Sequence, residues 1–472
     1  MIVMLLMLPL LGSLLMIIRP AIAPLLTLVI AVASNVLALQ LLQQISEEGT
    51  MQWLLAGWPA GLGIVWQAGT LTALLILLTT VLQLLVGLYA FVTHKRDKLA
   101  AVFWPLSNLL QFGLIALWLS RDLFNLYICL ELLGLVAVAL VSLAGGKAIK
   151  PAINYLLLSL LGSLCYLLGV VLLYGIHGIL DIATLASQWQ DNQLSYIALL
   201  LMSGGLMLKA ALWPLHLWLP GAHSAAPAPV SALLSALVVK GPLYILCLIW
   251  IKLAAVQQAS AMAPLFIATG MAALVFGGWS ALRTPFAKTM VAYSTVAQLG
   301  YALLALGFLL KFSHPLFFAA LWLFVLSHAL AKAACFLAIG EISATLGGKR
   351  LTALKGASQT MPLAMFAFAL SGVSLIGLPP SGGFLGKWTL VQGIWQHQGQ
   401  LLWMLPLVLV TLLSAAYVMR VVVLTFDQAK PVAPDFAPKL LPQWLALVPA
   451  LAVCGMAFLS EPLLLLLQAD AL

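Results

Sequence analysis

The sequence predicts an all-α polytopic membrane protein of about fourteen transmembrane helices, and three observations carry that expectation. Hydrophobic residues make up 64% of the 472, charged residues only 7%, and the mean hydropathy is +1.15, which together exclude a soluble globular domain. Apolar runs of about 17 to 25 residues recur along the whole length, as spanning helices require. Strands of a transmembrane barrel would be shorter and would alternate in polarity.

Taken in order, the spans fall at roughly 2–18, 21–45, 69–92, 102–119, 122–143, 152–176, 195–219, 229–251, 262–281, 289–310, 315–341, 361–395, 401–426 and 443–467. The first run, Met1 to Ile18, has no basic residues ahead of it and no small-residue cleavage site after it, so it is read as a helix and not as a cleaved signal. Loops after odd-numbered spans hold thirteen Lys and Arg, among them Arg19, Lys95, Arg96, Lys98, Lys288, Lys349, Lys430 and Lys439. Those after even-numbered spans hold three, Arg121, Lys252 and Lys311. By the positive-inside rule the odd exits are cytoplasmic, and an even span count then puts both termini on the opposite side of a bacterial-type inner membrane. The net charge of +9 thus belongs to alternating loops and does not point to nucleic acid.

Two spans carry their own breakers. Span 7 contains Pro214 and Pro220, and span 12 contains Gly377-Leu-Pro-Pro-Ser-Gly-Gly383. Proline removes a backbone donor and clashes one turn back, so both helices should be discontinuous and leave backbone polar groups at membrane depth. Interrupted helices at corresponding positions mark an internal repeat with a transport site. The chain is therefore divided into N-terminal helices at 1–100, a first five-helix repeat at 101–252 (spans 4–8), an inverted second repeat at 253–428 (spans 9–13), and a C-terminal helix at 429–472.

Five basic residues, Lys209, Lys240, Lys332, Lys387 and Arg420, lie within spans, where an ionisable side chain costs about 2.5–3.5 kcal/mol or more and is by default functional. Glu131 in span 5 has apolar neighbours on every side and needs a partner, for which Lys209 is the candidate. At roughly 4 Å and an effective dielectric of about 20, such a pair attracts by about 4 kcal/mol. Held near Glu131, Lys209 keeps its proton; drawn away into a dry site, it passes the proton on. Span 11 sets His328 and Lys332 at i and i+4 on one helical face, and Lys240 and Lys387 complete a row of titratable groups. His216 and His223 flank the first break, as relays or as solvated side chains. Arg420 reads as snorkelling to an interface, Asp181, Asp191 and Glu341 as solvated residues near span ends, and most tryptophans as an interfacial belt.

Several chemistries have no motif here. The five cysteines are scattered singly in apolar runs, and phosphate-loop, iron–sulfur, haem and zinc-protease patterns are absent from the sequence. No metal or cofactor site and no catalytic chemistry is expected in this chain, so a redox or hydrolytic engine would belong to another subunit.

The stretch from Lys209 to Lys240, with Leu-Trp-Pro-Leu-His-Leu-Trp-Leu-Pro and Ala-Pro-Ala-Pro-Val-Ser, resembles the antiporter-like subunits shared by respiratory complex I, membrane-bound hydrogenases and Mrp-type cation/proton antiporters. Ser327-His-Ala-Leu-Ala-Lys332 and Gly377 to Lys387 support it, and the likeness covers nearly the whole chain. Leu55-Ala-Gly-Trp-Pro-Ala and Asp122 to Glu131 look most like the Mrp D subunit. The resemblance implies a fourteen-helix inverted-repeat fold, a Glu131–Lys209 pair, a relay through Lys240, His328 and Lys332, and Lys387 on the exit side. Partners would be other membrane subunits, with protons and a cation such as sodium as cargo. The alternative is a proton-pumping subunit of a redox complex; a third reading, a membrane partner in bicarbonate uptake, is disfavoured because Lys240 follows the antiporter pattern. This sequence departs from the family at Gly221, where an aspartate is usual, at Gln298, where many complex I members carry histidine, and at Phe324, where some carry another.

Overall fold

A computed structural model describes residues 1–58, 61, 63–94, 98–190, 192–254, 256–398, 404–427 and 438–469. Lys95, Arg96, Asp191 and Lys430, and positions 59, 60 and 62 of the Leu55 motif, lie outside the described residues. The helices are α1 (Ile2–Ile18), α2 (Ala23–Glu48), α3 (Thr70–His94), α4 (Lys98–Leu119), α5 (Leu123–Ser142), α6 (Ile149–His177), α7 (Ile182–Ser187), α8 (Gln193–Lys209), α9 (Leu219–Ala225), α10 (Ala228–Leu233), α11 (Lys240–Lys252), α12 (Val256–Arg283), α13 (Ala287–Phe312), α14 (Pro315–Thr345), α15 (Ala357–Thr360), α16 (Pro362–Ile376), α17 (Gly382–Gln398), α18 (Leu405–Phe426), α19 (Leu440–Gly455) and α20 (Ser460–Ala469). Among the described residues, eleven helical segments are long and apolar enough to cross a membrane, and three shorter apolar helices are α1, α8 and α16.

One expectation fails locally. The chain is predominantly, not wholly, helical, because Met51–Leu54 (β1) and Val65–Ala68 (β2) pair as an antiparallel hairpin with Trp53 opposite Trp66. The connection is rich in glycine and sits between spans, where backbone bonds need not close within one helix. Arg121 anchors this hairpin: its amide donates to the Val65 carbonyl, its Nε to Gln67 at 3.0 Å, and its Nη1 to the Tyr244 hydroxyl at 2.8 Å.

The chain forms two compact units. The first comprises Met1–Leu84, Arg96–Trp218 and Leu237–Pro264; the second comprises Leu85–Lys95, Leu219–Ala236 and Leu265–Leu472. In the first, α6 and α8 pack through glycines: a Cβ on Gly162 would stand 2.8 Å from the Gly205 carbonyl oxygen, so the two backbones touch. Asp122 and Asp181 cap α5 and α7, each accepting an amide hydrogen bond three residues on. Asp181 is therefore buried, not solvated as the sequence suggested. In the second unit α14 is the axis, its spanning segment wholly buried among neighbours that include α13, α16, α17 and α19.

Candidate functional site

Lys209 is the last residue of α8, and the helix breaks there, ahead of Pro214, before α9 resumes at Leu219. The amide of Leu212 donates to the Met207 carbonyl and that of Ala211 to Leu208, with Ala211 at φ +53°. These two bonds form a Schellman cap with an alanine in the left-handed position that favours glycine. The Trp218 indole donates to the Leu208 carbonyl at 2.9 Å, closing the end further. Lys209 then reaches sideways from its cap into the first unit. Its Nζ lies 2.8 Å from Glu131 Oε1 and 3.3 Å from the Leu130 carbonyl, and it donates to Ser163 Oγ, which in turn donates to Glu131. Lys209 and Ser163 are buried and Glu131 is about one-fifth exposed. Gly134 and Gly162 leave room for this cluster, since a Cβ on Gly162 would stand 3.0 Å from Lys209 Cγ.

The second break repeats the same backbone device inside the second unit. α16 ends with the Leu378 amide on the Val373 carbonyl and the Gly377 amide on Ser374, with Gly377 at φ +84°. Aligning the two caps puts Leu375 where α8 carries Lys209. The charge comes instead from Lys387 on α17, whose Nζ donates to the carbonyls of Leu375 at 3.1 Å and Ile376 at 2.8 Å. A cation is well placed there, because the end of a helix presents unsatisfied carbonyls and the negative pole of its dipole. Gln298 also donates to the Leu375 carbonyl, at 2.8 Å. Lys387 Nζ lies 4.5 Å from the Tyr301 ring centroid, and both line a cavity of about 260 Å³.

His328 and Lys332 project from α14, one turn apart and both buried. Lys332 Nζ donates to the Val291 carbonyl at 3.0 Å and to Ser294 Oγ. These are neutral oxygens, in contrast to the carboxylate that Lys209 meets. From His328 toward Lys387 the second unit holds rings: His328 to Phe324 at 5.9 Å, then Phe324 to Tyr301 at 5.2 Å. Lys240, 1% exposed, opens α11 directly after a π turn at Leu234–Val238. Such turns are frequent at functional positions in helices. His216 and His223 are both buried, and His223 stacks on Phe336 at 4.6 Å.

A family profile described as NADH:quinone oxidoreductase/Mrp antiporter, transmembrane, matches residues 120–414, more than half of the chain and all of the residues just described. The chain belongs to this family. Among its relatives, the N subunit of NADH-quinone oxidoreductase from Desulforudis audaxviator (strain MP104C) is 35% identical over 379 residues, covering 79% of this chain and 74% of the relative. The D subunit of the Na(+)/H(+) antiporter from Bacillus subtilis (strain 168) is 29% identical over 361 residues, covering 75% and 71%. A chain in the structure of the Mrp complex from Dietzia sp. DQ12-45-1b superposes with a TM-score of 0.91 at 23% identity, covering 100% of this chain and 96% of that one, and so shares the fold. The chain is thus an antiporter-like, multi-pass membrane subunit.

The fold of this antiporter-like protein brings together Glu131 with Lys209, and His328 with Lys332; it also adds residues that the sequence did not single out. Ser163 bridges Glu131 and Lys209, yet a serine in an apolar helix gives no signal of its own. Arg420, exposed on α18, donates to the Leu282 and Thr284 carbonyls at the end of α12. The tryptophans divide, with Trp104, Trp118, Trp250 and Trp322 buried within the bundle and others exposed. Glu341 is 7% exposed and accepts from the Tyr89 hydroxyl at 2.8 Å, where a solvated position was expected.

Proposed function

We propose that this subunit moves protons through Glu131, Lys209, Lys240, His328, Lys332 and Lys387 in exchange with a cation such as sodium, as one member of a multisubunit Mrp-type antiporter. The observation that carries the proposal is the Lys209–Glu131 pair, its lysine buried and its carboxylate largely covered, bridged by Ser163. A buried ion pair is a poor stabiliser compared with apolar packing, so its presence calls for a role beyond stability. With Glu131 and Ser163 around it, Lys209 holds a proton; moved off that carboxylate, it is a donor. The neutral ligands of Lys332 and Lys387 fit the complementary role, since such sites do not fix the ammonium with a counter-charge. His216 and His223 are assigned as accessory relays.

The matching Schellman caps of α8 and α16 support two five-helix repeats with one discontinuous helix each, at spans 7 and 12. The three shorter helices added to the eleven long ones give the fourteen spans of this reading, with both termini on the non-cytoplasmic side of the inner membrane. The inverted relation of the repeats follows from the odd number of spans in each.

One observation favours a second reading, a proton pump driven by a redox partner: the relative at 35% identity is an NADH-quinone oxidoreductase subunit. Purification of the native complex with mass spectrometry of its subunits separates the two. Small membrane subunits alone support exchange, whereas iron–sulfur or hydrogenase-like subunits support the redox pump. Proton uptake by inverted vesicles carrying Lys209→Ala or Glu131→Ala tests the relay common to both.

A further inference from the structure

Within the second unit a cavity of about 420 Å³ opens where the end of α3, the α9–α10 turn, the start of α13 and the end of α14 meet. Its lining combines one carboxylate, Glu341, with Tyr89 and three lysines, Lys288, Lys349 and Lys439. Glu341 is almost wholly covered, and its Oε2 accepts from Tyr89 at 2.8 Å. Among the described residues no cation lies within ion-pair distance of it. Lys349 and Lys439 are exposed, and Lys288, half-buried, donates to the Ala226 carbonyl at 2.9 Å.

That donor set fits a proton and not a metal ion. A sodium-like cation needs several oxygen ligands and little competing positive charge, whereas this cavity sets one carboxylate, the Tyr89 phenol and the hydroxyls of Thr93, Ser224, Ser343 and Thr345 beside three ammonium groups that repel it. A proton needs a single titratable oxygen in contact with water. The path onward runs beside α14: Lys332 lies nine residues before Glu341, about 13 Å along the axis and on the opposite side of the helix, so a group between them is needed. His223 stacks on Phe336 in this interval. Gly340 lets Ala228 lie directly against α14, since a Cβ there would collide with Ala228, and Lys288 ties down the Ala226 carbonyl. The first contact holds the His223 segment on α14 and the second ties it to α13.

We infer that Glu341 is the proton-loading group of this subunit, taking protons from water in the lysine-lined cavity and passing them by way of His223 to Lys332. Each transfer balances: Glu341 takes one proton and releases it to an imidazole nitrogen of His223, and the other ring nitrogen delivers one to neutral Lys332. The inference rests on the proposed proton relay, and its test keeps the two separate.

Proton uptake is measured in inverted membrane vesicles holding the assembled complex, with Glu341→Ala, Glu341→Asp and Lys209→Ala beside the wild type, each with and without added formate. Glu341→Ala is expected to lower the initial rate at least about tenfold, the scale of a lost acid–base group, and Glu341→Asp to retain most of it. Formate, a small weak acid drawn by the three lysines into the space the side chain vacates, should restore most of the Glu341→Ala rate and none of the Lys209→Ala rate. A structural role for Glu341 would show no such rescue, so a rate that stays low in formate overturns the assignment. A wild-type rate in Glu341→Ala with Lys209→Ala inactive overturns the loading role alone. Wild-type rates in both variants overturn the relay and this inference with it.

Discussion

The side chain of Lys209 has three acceptors, Glu131, Ser163 and the Leu130 carbonyl, and each predicts a different loss. Ser163→Ala removes a hydrogen bond worth about 1 kcal/mol and should slow transport without unfolding the subunit. Lys209→Ala leaves the largely covered Glu131 carboxylate without its counter-charge and should destabilise the subunit, by less than the about 3–5 kcal/mol of a fully buried unpaired charge. The double variant Glu131→Ala with Lys209→Ala removes both charges, so it should be more stable than Lys209→Ala in a thermal-shift measurement and equally inactive in transport. Recovery of activity in the double variant would contradict the switch. At Lys387 the positive charge itself is used, since two carbonyls and the Tyr301 ring face it. Lys387→Glu would point a carboxylate at the negative end of α16 and should be at least as damaging to vesicle proton uptake as Lys387→Ala. A milder effect of glutamate would mean that only a titratable group is needed. These residues were legible in the sequence because a charge in an apolar run has no neutral explanation. Ser163 was not, because uncharged polar residues recur in such helices without consequence.

At the scale of elements, the two broken helices end alike but with different residues at the left-handed position, Ala211 in one and Gly377 in the other. A Cβ at left-handed φ costs about 1–2 kcal/mol, so Ala211→Gly should leave the thermal midpoint unchanged or raise it. Gly377→Ala should lower it and also reduce transport, because its Cβ would meet the Lys387 stem. Breaks were readable from proline and glycine; the caps that finish them depend on backbone dihedrals that no single residue type dictates. The start of α14 holds a pH-dependent cap: His314 Nδ1 accepts from the Leu316 amide at 3.2 Å. Burial, then the neighbouring His397, lowers the His314 pKa from its usual value. A histidine whose folded-state pKa lies below the unfolded one contributes its stability above the unfolded value and loses it as pH falls through the histidine range. His314→Asn, which caps without titrating, should therefore keep at mildly acid pH the roughly 1 kcal/mol that the wild type loses there, read as a smaller drop in thermal midpoint. Equal drops would remove His314 from this role.

For the whole molecule, composition and apolar run length were enough for a multi-pass helical protein, and the motif stretches from Lys209 to Lys240, Ser327 to Lys332 and Gly377 to Lys387 were enough for the family. The β1–β2 hairpin escaped because a glycine-rich connection between spans has no helical or membrane signal. The Glu341 cavity escaped for a different reason: a carboxylate near a span end reads as solvated until Tyr89 and the α9–α10 turn are folded over it. The central claim remains that Lys209, held by Glu131 and Ser163, is the switch through which protons pass. Its most direct test is the initial rate of proton uptake by inverted vesicles containing the assembled complex with Lys209→Ala. Loss of coupled transport with the complex intact is the expected result; transport at the wild-type rate would contradict the switch.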